Sequence, residues 1–131
     1  MGNLFLLEFN VSDRFYMCRS CQNHVALCQD FSLNYSPVTG VIGGVFDKVV
    51  NVHVSEAEKQ SQLGPHTVVD VYCNKCQNLL GWKFIEVFEE DPVARKDMIM
   101  LQIGKLQQKN GNQIEAAVEP RANVARWGAS S

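Results

Sequence analysis

Apolar and polar residues alternate along much of this chain, whereas a sustained helical periodicity is missing. Val50, Val52 and Val54 alternate with Asn51 and His53, which is the pattern of a half-buried strand. Similar short runs predict strands over residues 3–9, 14–17, 46–54, 67–72, 82–89 and 98–103. No stripe of period 3.6 occurs before residue 105, so the pattern predicts a mainly β fold with antiparallel sheets.

Three segments interrupt this alternation. Residues 34–44 are rich in Asn, Ser, Pro, Thr and Gly, which predicts a loop. Residues 55–65 are polar and predict a mobile connection, with a brief helical turn over 56–59. Residues 107–131 contain few core-forming side chains and predict a largely disordered tail, in which Trp127 is either solvated or a docked anchor or partner motif. The predicted organisation is an N-terminal strand within 1–13, one folded domain over 14–106 and the tail over 107–131.

Length, composition and charge exclude several classes of protein. A chain of 131 residues with 46% hydrophobic and 20% charged residues is typical of one globular domain. A net charge of −2 with scattered Lys and Arg argues against a nucleic-acid partner. No apolar run approaches the ~20 residues of a membrane span. The apolar run 4–7 ends at Glu8 and lacks the features of a secretory signal, which indicates a reducing compartment.

Two Cys-x-x-Cys pairs carry the clearest chemistry. Cys18 and Cys21 form the first pair, and Cys73 and Cys76 form the second. Each pair follows a predicted strand and encloses two polar residues, which is typical of a zinc knuckle. Neither pair precedes a helical pattern, so a thioredoxin-type redox pair is disfavoured. The four thiolates therefore predict one structural Zn²⁺ per chain, in a closed tetrahedral site that is not catalytic.

Cys28 is the fifth cysteine and lies outside both pairs. It follows an apolar run, so a small, half-buried hydrophobic residue is one interpretation. A reactive thiol is the other interpretation, and it depends on the burial and local charge of Cys28.

Four blocks of the sequence, two of which contain the cysteine pairs, are similar to those of a known protein family. They are Cys18–Leu27, Phe46–Val52, Gly64–Cys76 and Gly81–Phe84. Their residues and spacing together resemble the Yippee family of zinc-binding proteins, over about residues 14–106, and the opening Met1–Phe5 is most similar to plant members.

The resemblance implies a β-tent fold, in which one structural zinc pins two antiparallel sheets, as in Mis18 proteins and the ligand-binding domain of cereblon. It also implies that His66, Trp82 and Phe84 line a groove that takes a partner or a small-molecule ligand. The residues themselves leave core packing open for Trp82, and a hydrogen bond at a strand end open for His66.

Three functional hypotheses follow. The resemblance implies a non-enzymatic module that recognises other proteins in the nucleus or cytoplasm, with a link to ubiquitin ligase assembly. The second hypothesis is an enzyme like the B-type methionine sulfoxide reductases, with Cys28 as nucleophile; the residues around Cys28 are not an activating environment. The third is nucleic-acid binding, which the charge disfavours.

Overall fold

The computed structural model describes residues 6–10, 12–110, 113–116 and 124–126, of which 110, 113–116 and 124–126 are described by their backbone alone. These residues form strands β1 Phe15–Cys18, β2 His24–Leu27, β3 Phe31–Val38, β4 Val41–Phe46, β5 Val52–Val54, β6 Ser61–Leu63, β7 His66–Cys73, β8 Leu79–Glu86, β9 Ile99–Gln102, β10 Leu106–Asn110, β11 Gln113–Ala116 and β12 Val124–Arg126. Short 3-10 turns lie at Cys28–Asp30, Ala57–Lys59 and Ile103–Lys105.

The strands assemble into two sheets. The smaller sheet has the order β11-β10-β1-β2. The larger sheet has the order β12-β3-β4-β9-β8-β7-β5, and β6 pairs with β7. All these pairs are antiparallel except β12 with β3. The predicted mainly β fold of two antiparallel sheets is confirmed. Within the described ranges, no helix is long and apolar enough to cross a membrane.

Two apolar clusters form the core. The first surrounds both cysteine pairs and includes Val71, Leu80 and Leu101. The second lies further along the larger sheet and includes Tyr35 and Phe84. Because the first cluster draws on strands of both sheets, the cysteine region is where the sheets are joined.

The predicted loop over residues 34–44 is wrong. This segment belongs to the hairpin of β3 and β4, whose turn contains Gly40 at φ +85°. Its other glycines permit close packing: a Cβ on Gly43 would lie 2.5 Å from the Met100 side chain and 2.8 Å from the Leu101 carbonyl oxygen. The glycines that suggested a turn are therefore required inside a strand.

The predictions for both ends of the chain need correction. Residues 6–10 of the predicted N-terminal strand are not part of a strand, and residues 1–5 lie outside the described residues. The tail prediction is wrong for residues 107–110, because they belong to β10, which pairs with β1 and β11. Residues 113–116 and 124–126 also form short strands, whereas Trp127 lies outside the described residues. Backbone pairing requires no apolar side chains, so hydropathy gave no signal for β10.

Two further predictions are right only in part. The predicted strand 46–54 is divided, with β4 ending at Phe46 and β5 beginning at Val52. The predicted connection 55–65 contains the expected turn near Ala57–Lys59, but its end forms β6.

Candidate metal centre

The two cysteine pairs follow the same local backbone path. Each first cysteine ends a strand, β1 for Cys18 and β7 for Cys73. The carbonyl oxygen of Cys18 accepts the N–H of Gln22 at 2.8 Å, and that of Cys73 accepts the N–H of Gln77 at 2.9 Å. Gln22 and Gln77 have positive φ values of 59° and 65°. Each turn therefore reverses the chain and presents two sulfurs on one side.

The residue after each glutamine completes the turn. Asn23 accepts the N–H of Cys18 at 2.8 Å through its carbonyl oxygen, and Asn78 accepts the N–H of Cys73 at 2.9 Å. The six-residue pattern Cys-x-x-Cys-Gln-Asn is thus repeated in sequence and in hydrogen bonding. This repetition gives the site an approximate twofold symmetry.

The four sulfurs converge although the two pairs are distant in sequence. The Sγ atoms of Cys18 and Cys76 are 3.6 Å apart, and those of Cys21 and Cys73 are 3.5 Å apart. All four lie within 4.8 Å of one another. Disulfide sulfurs are ~2.05 Å apart, whereas four sulfurs around a tetrahedral metal at ~2.3 Å lie ~3.8 Å apart. The observed spacing therefore fits a Cys₄ metal site, and all five cysteines are free thiols.

The ionisation of these thiols also fits a cation. Burial raises the pKa of Cys73, but hydrogen bonds from the backbone of Cys76, the Asn23 amide and other donors outweigh it and lower this pKa to about 7. Burial and neighbouring sulfurs raise the pKa of Cys21 to about 12, despite the backbone N–H of Asn23. Burial likewise raises the pKa of Cys18. The raised pKa values of Cys18 and Cys21 oppose their ionisation, and a divalent cation would supply the charge that offsets this cost.

Asn23 and Asn51 link the site to the chain between the pairs. Asn23 is buried, and its Nδ2 donates to the Sγ of Cys73 at 3.3 Å and to the carbonyl oxygen of Asn51 at 3.0 Å. The same carbonyl accepts the N–H of Asn74 at 2.9 Å. Asn51 holds φ +60°, a conformation that Asn tolerates better than most residues. Asn51, which lies between the two pairs in the sequence, thereby connects Asn23, next to the first pair, with Asn74 of the second pair.

The predicted groove residues do not form an open groove. His66 and Phe84 each have 0% exposure, so neither presents a surface to a partner. Trp82 is half-buried and packs against the second apolar cluster, away from the cysteine cluster. Of the three predicted groove residues, only Trp82 is partly exposed.

His66 instead belongs to a buried polar network. Its Nε2 lies 2.9 Å from the Tyr35 hydroxyl and 3.0 Å from Oδ2 of Asp91, and the Tyr35 hydroxyl donates to the same Asp91 oxygen. The N–H of Phe88 donates to Nδ1 of His66 at 3.0 Å. Because Nδ1 accepts, Nε2 carries the proton and donates. The hydrogen-bonding alternative for His66 is therefore the correct one.

Cys28 is half-buried beside a surface cavity of ≈580 Å³ whose lining includes Tyr16, Phe31 and Gln108. Burial raises the pKa of the Cys28 thiol, while Arg14 and a hydrogen bond from Gln108 oppose the shift. A raised pKa reduces the thiolate fraction at neutral pH, so the surroundings favour the hydrophobic interpretation over the reactive one.

Sequence reasoning missed four residues that organise the molecule: Asn23, Tyr35, Asn51 and Asp91. The repeated Gln-Asn after each cysteine pair was a signal for Asn23. No periodicity marks the other three, because their partners are distant in the chain.

Comparison with known proteins agrees with this geometry. Residues 15–119 match the family described as Yippee zinc-binding/DNA-binding and Mis18, centromere assembly. The match extends past the domain end predicted at residue 106.

Individual relatives are similar over most of their length. A yippee-like protein of Arabidopsis thaliana is 31% identical over 103 residues, covering 78% of this chain and 79% of its own. Human yippee-like 3 is 29% identical, covering 75% and 83%. The crystal structure of the Mis18 'Yippee-like' domain matches with a TM-score of 0.61 at 15% identity, over 73% of this chain and 94% of that chain. At this identity the last match describes the fold alone.

Proposed function

Since the chain belongs to the Yippee and Mis18 family, whose zinc-binding domain is a non-enzymatic binding module, we propose that it is a protein-recognition module held together by one structural Zn²⁺. Cys18, Cys21, Cys73 and Cys76 are its metal ligands. The convergence of four sulfurs from two distant segments carries this proposal. Four protein ligands leave no open coordination position for a substrate, so the metal has a structural role.

Zinc content tests the metal part of the proposal. Native protein, purified without added metal and analysed by plasma mass spectrometry, should hold one zinc per chain. Cys76→Ser should bind the metal weakly, whereas Cys28→Ser, the matched control outside the site, should keep full occupancy. Zinc-free wild-type protein that remains folded would refute the structural role.

The proposed partners are proteins, including components of ubiquitin ligases, and the proposed location is the nucleus and cytoplasm. The net charge of −2 becomes about −4 when four thiolates and one Zn²⁺ are counted, which disfavours a nucleic-acid backbone. Affinity purification of the full chain, with and without nuclease, separates the alternatives. Retention of the same proteins after nuclease supports the proposal, whereas complete loss would indicate DNA binding. Partners that Trp82→Ala loses selectively would map an interface near the partly exposed tryptophan.

The enzymatic alternative remains a methionine sulfoxide reductase that uses Cys28. Its half-buried thiol with a raised pKa is a poor nucleophile, which supports the non-enzymatic proposal. Reduction of free or peptidyl methionine sulfoxide by wild-type protein, lost in Cys28→Ser, would establish the enzyme instead.

A further inference from the structure

Residues 6–10 lie outside any strand and contact the domain mainly through its side chains. Asn51 binds both backbone groups of Leu7: its Oδ1 accepts the N–H at 2.7 Å, and its Nδ2 donates to the carbonyl oxygen at 2.7 Å. Two residues later, Nδ1 of His24 accepts the N–H of Phe9 at 3.0 Å. This period of two is the way in which proteins bind an extended peptide backbone.

Phe9 anchors the segment to the domain, whereas Leu7 and Glu8 are exposed. The Phe9 ring stacks on His24 at a centroid distance of 5.7 Å and contacts Phe15 at 5.3 Å. Leu7, in contrast, is 50% exposed, and Glu8 is also exposed. Binding therefore requires an aromatic side chain at one position and an extended backbone, with little demand on the residues between.

The residues that hold the segment also contact other parts of the domain. Asn51 Nδ2 also donates to the carbonyl oxygen of His24 at 2.6 Å, which fixes the amide orientation. His24 contacts the buried Phe15 ring at 4.2 Å. A small cavity of ≈70 Å³ lies beside the segment, between Leu7, His24 and Lys75.

We propose that this groove, formed by Asn51, His24 and Phe15, is a docking site for an extended segment of another protein with an aromatic residue at the position of Phe9. The chain's own residues 6–10 occupy the site as an intramolecular competitor. This proposal rests on the proposed protein-recognition function and names the groove as the surface that binds the partner. A tethered segment acts at an effective concentration of about millimolar. A partner segment must therefore bind the groove tightly enough to displace residues 6–10.

Full-length variants can release the segment without deleting it. Leu7→Pro combined with Phe9→Pro removes both donated N–H groups and the aromatic anchor, so the groove should open. Glu8→Pro is the matched control, because the N–H of Glu8 has no hydrogen-bond partner among the described residues. Proline favours the extended backbone that the bound segment already has.

The probe is a fluorescein-labelled peptide of residues 6–13, measured by fluorescence anisotropy. The double proline variant should bind it at least about tenfold more tightly than wild type or Glu8→Pro, because only that variant lacks the competitor. Peptides N-methylated at Leu7 or Phe9 should lose binding, whereas N-methylation at Glu8 should have little effect. Equal binding by all three proteins, or equal binding of the methylated peptides, would overturn the proposal.

The groove itself is tested in the double proline background. Asn51→Gly keeps the positive φ and the backbone carbonyl but removes the amide, and it should weaken peptide binding at least about tenfold. His24→Phe keeps the aromatic contact but removes the acceptor, and it should weaken binding as well. Unchanged affinity in both variants would overturn the proposal. Zinc content measured on each variant separates loss of the groove from loss of the fold.

Two results would assign the groove a different occupant or the recognition a different surface. A wild-type dimer in sedimentation that the double proline variant abolishes would mean that a second copy occupies the groove, which overturns the proposal. Failed peptide binding by a zinc-loaded protein that still retains its protein partners would refute the groove and leave the proposed function standing.

Discussion

The buried network around Asp91 should make a large contribution to stability. Oδ2 of Asp91 accepts hydrogen bonds from Tyr35 and His66, and Oδ1 accepts the N–H groups of Val93 at 2.8 Å and Ala94 at 3.1 Å. The Asp91 side chain has 0% exposure. Four donors thus depend on one carboxylate that water cannot replace.

Asp91→Asn is the most informative perturbation. The amide oxygen can still accept from Val93 and Ala94, but the new NH₂ group would face the donating Nε2 of His66. His66 cannot change tautomer without losing its bond from Phe88. Charge-assisted bonds contribute about 1.5–3 kcal/mol each, and the Tyr35 hydroxyl can rotate to accept, so the expected loss is about 3 kcal/mol.

Urea unfolding of the zinc-loaded protein, followed by tryptophan fluorescence at pH 7, measures this loss. Tyr35→Phe keeps the contact between His66 and Asp91 and should cost only about 1 kcal/mol. Asp97→Asn, which affects an exposed carboxylate 4.0 Å from the Lys83 ammonium group, should cost less than about 1 kcal/mol. An Asp91→Asn protein as stable as the Asp97→Asn control would refute the assignment.

The pH dependence gives an independent check. Burial raises the pKa of Asp91, but hydrogen bonds from Tyr35, Val93, Ala94 and His66 outweigh it and lower the pKa overall. A carboxylate with a lowered pKa stabilises the fold above its unfolded pKa of ~3.9, and this contribution is lost as the pH falls through the folded value. The deficit of Asp91→Asn should therefore be constant between pH 5.5 and pH 8. A deficit that shrinks between pH 8 and pH 5.5 would contradict the lowered pKa of Asp91.

Three further predictions concern other parts of the molecule. A strong zinc chelator should unfold the protein cooperatively in circular dichroism, because structural zinc supplies on the order of 10 kcal/mol, and a native spectrum after zinc loss would contradict this. Gly81→Ala should lower the free energy of unfolding by more than about 3 kcal/mol, because its Cβ would lie 1.9 Å from the Met100 carbonyl oxygen, whereas Gly104→Ala, with no atom within 4 Å, should change it by less than about 0.5 kcal/mol. In zinc-loaded protein at pH 7, Cys28 should react with a disulfide reagent more slowly than free cysteine, because burial raises its pKa, and a faster reaction would revive the nucleophile hypothesis.

The sequence was most informative where chemistry and spacing agreed. The two cysteine pairs could be predicted as one centre because two Cys-x-x-Cys pairs in tight turns are a strong signal for a metal site. The mainly β fold followed from alternation over β5, β7 and β8. Each cysteine pair and each alternating strand is a pattern of residues close together in the chain. Local patterns were therefore sufficient for both inferences.

Sequence reasoning failed where a residue's role depends on a distant neighbour. Glycines in β4 suggested a loop, but they allow β9 to pack closely. The resemblance placed His66 and Phe84 in a groove, although Tyr35 and Asp91 bind the imidazole in the interior. No local pattern reports which strands become neighbours, and that information decides whether an aromatic or polar residue is exposed.

The positions of the asparagines connect the metal centre with the proposed docking groove. The backbone carbonyl of Asn51 accepts from Asn23, which also donates to the Sγ of Cys73, while the Asn51 side chain holds Leu7. Zinc loss would therefore free the turn that orients the Asn51 amide, and the groove should lose its peptide together with its metal. The reverse does not follow, because Asn51→Gly leaves the carbonyl and the four sulfurs in place. Peptide binding that survives chelation would show that the groove is organised independently of the zinc site.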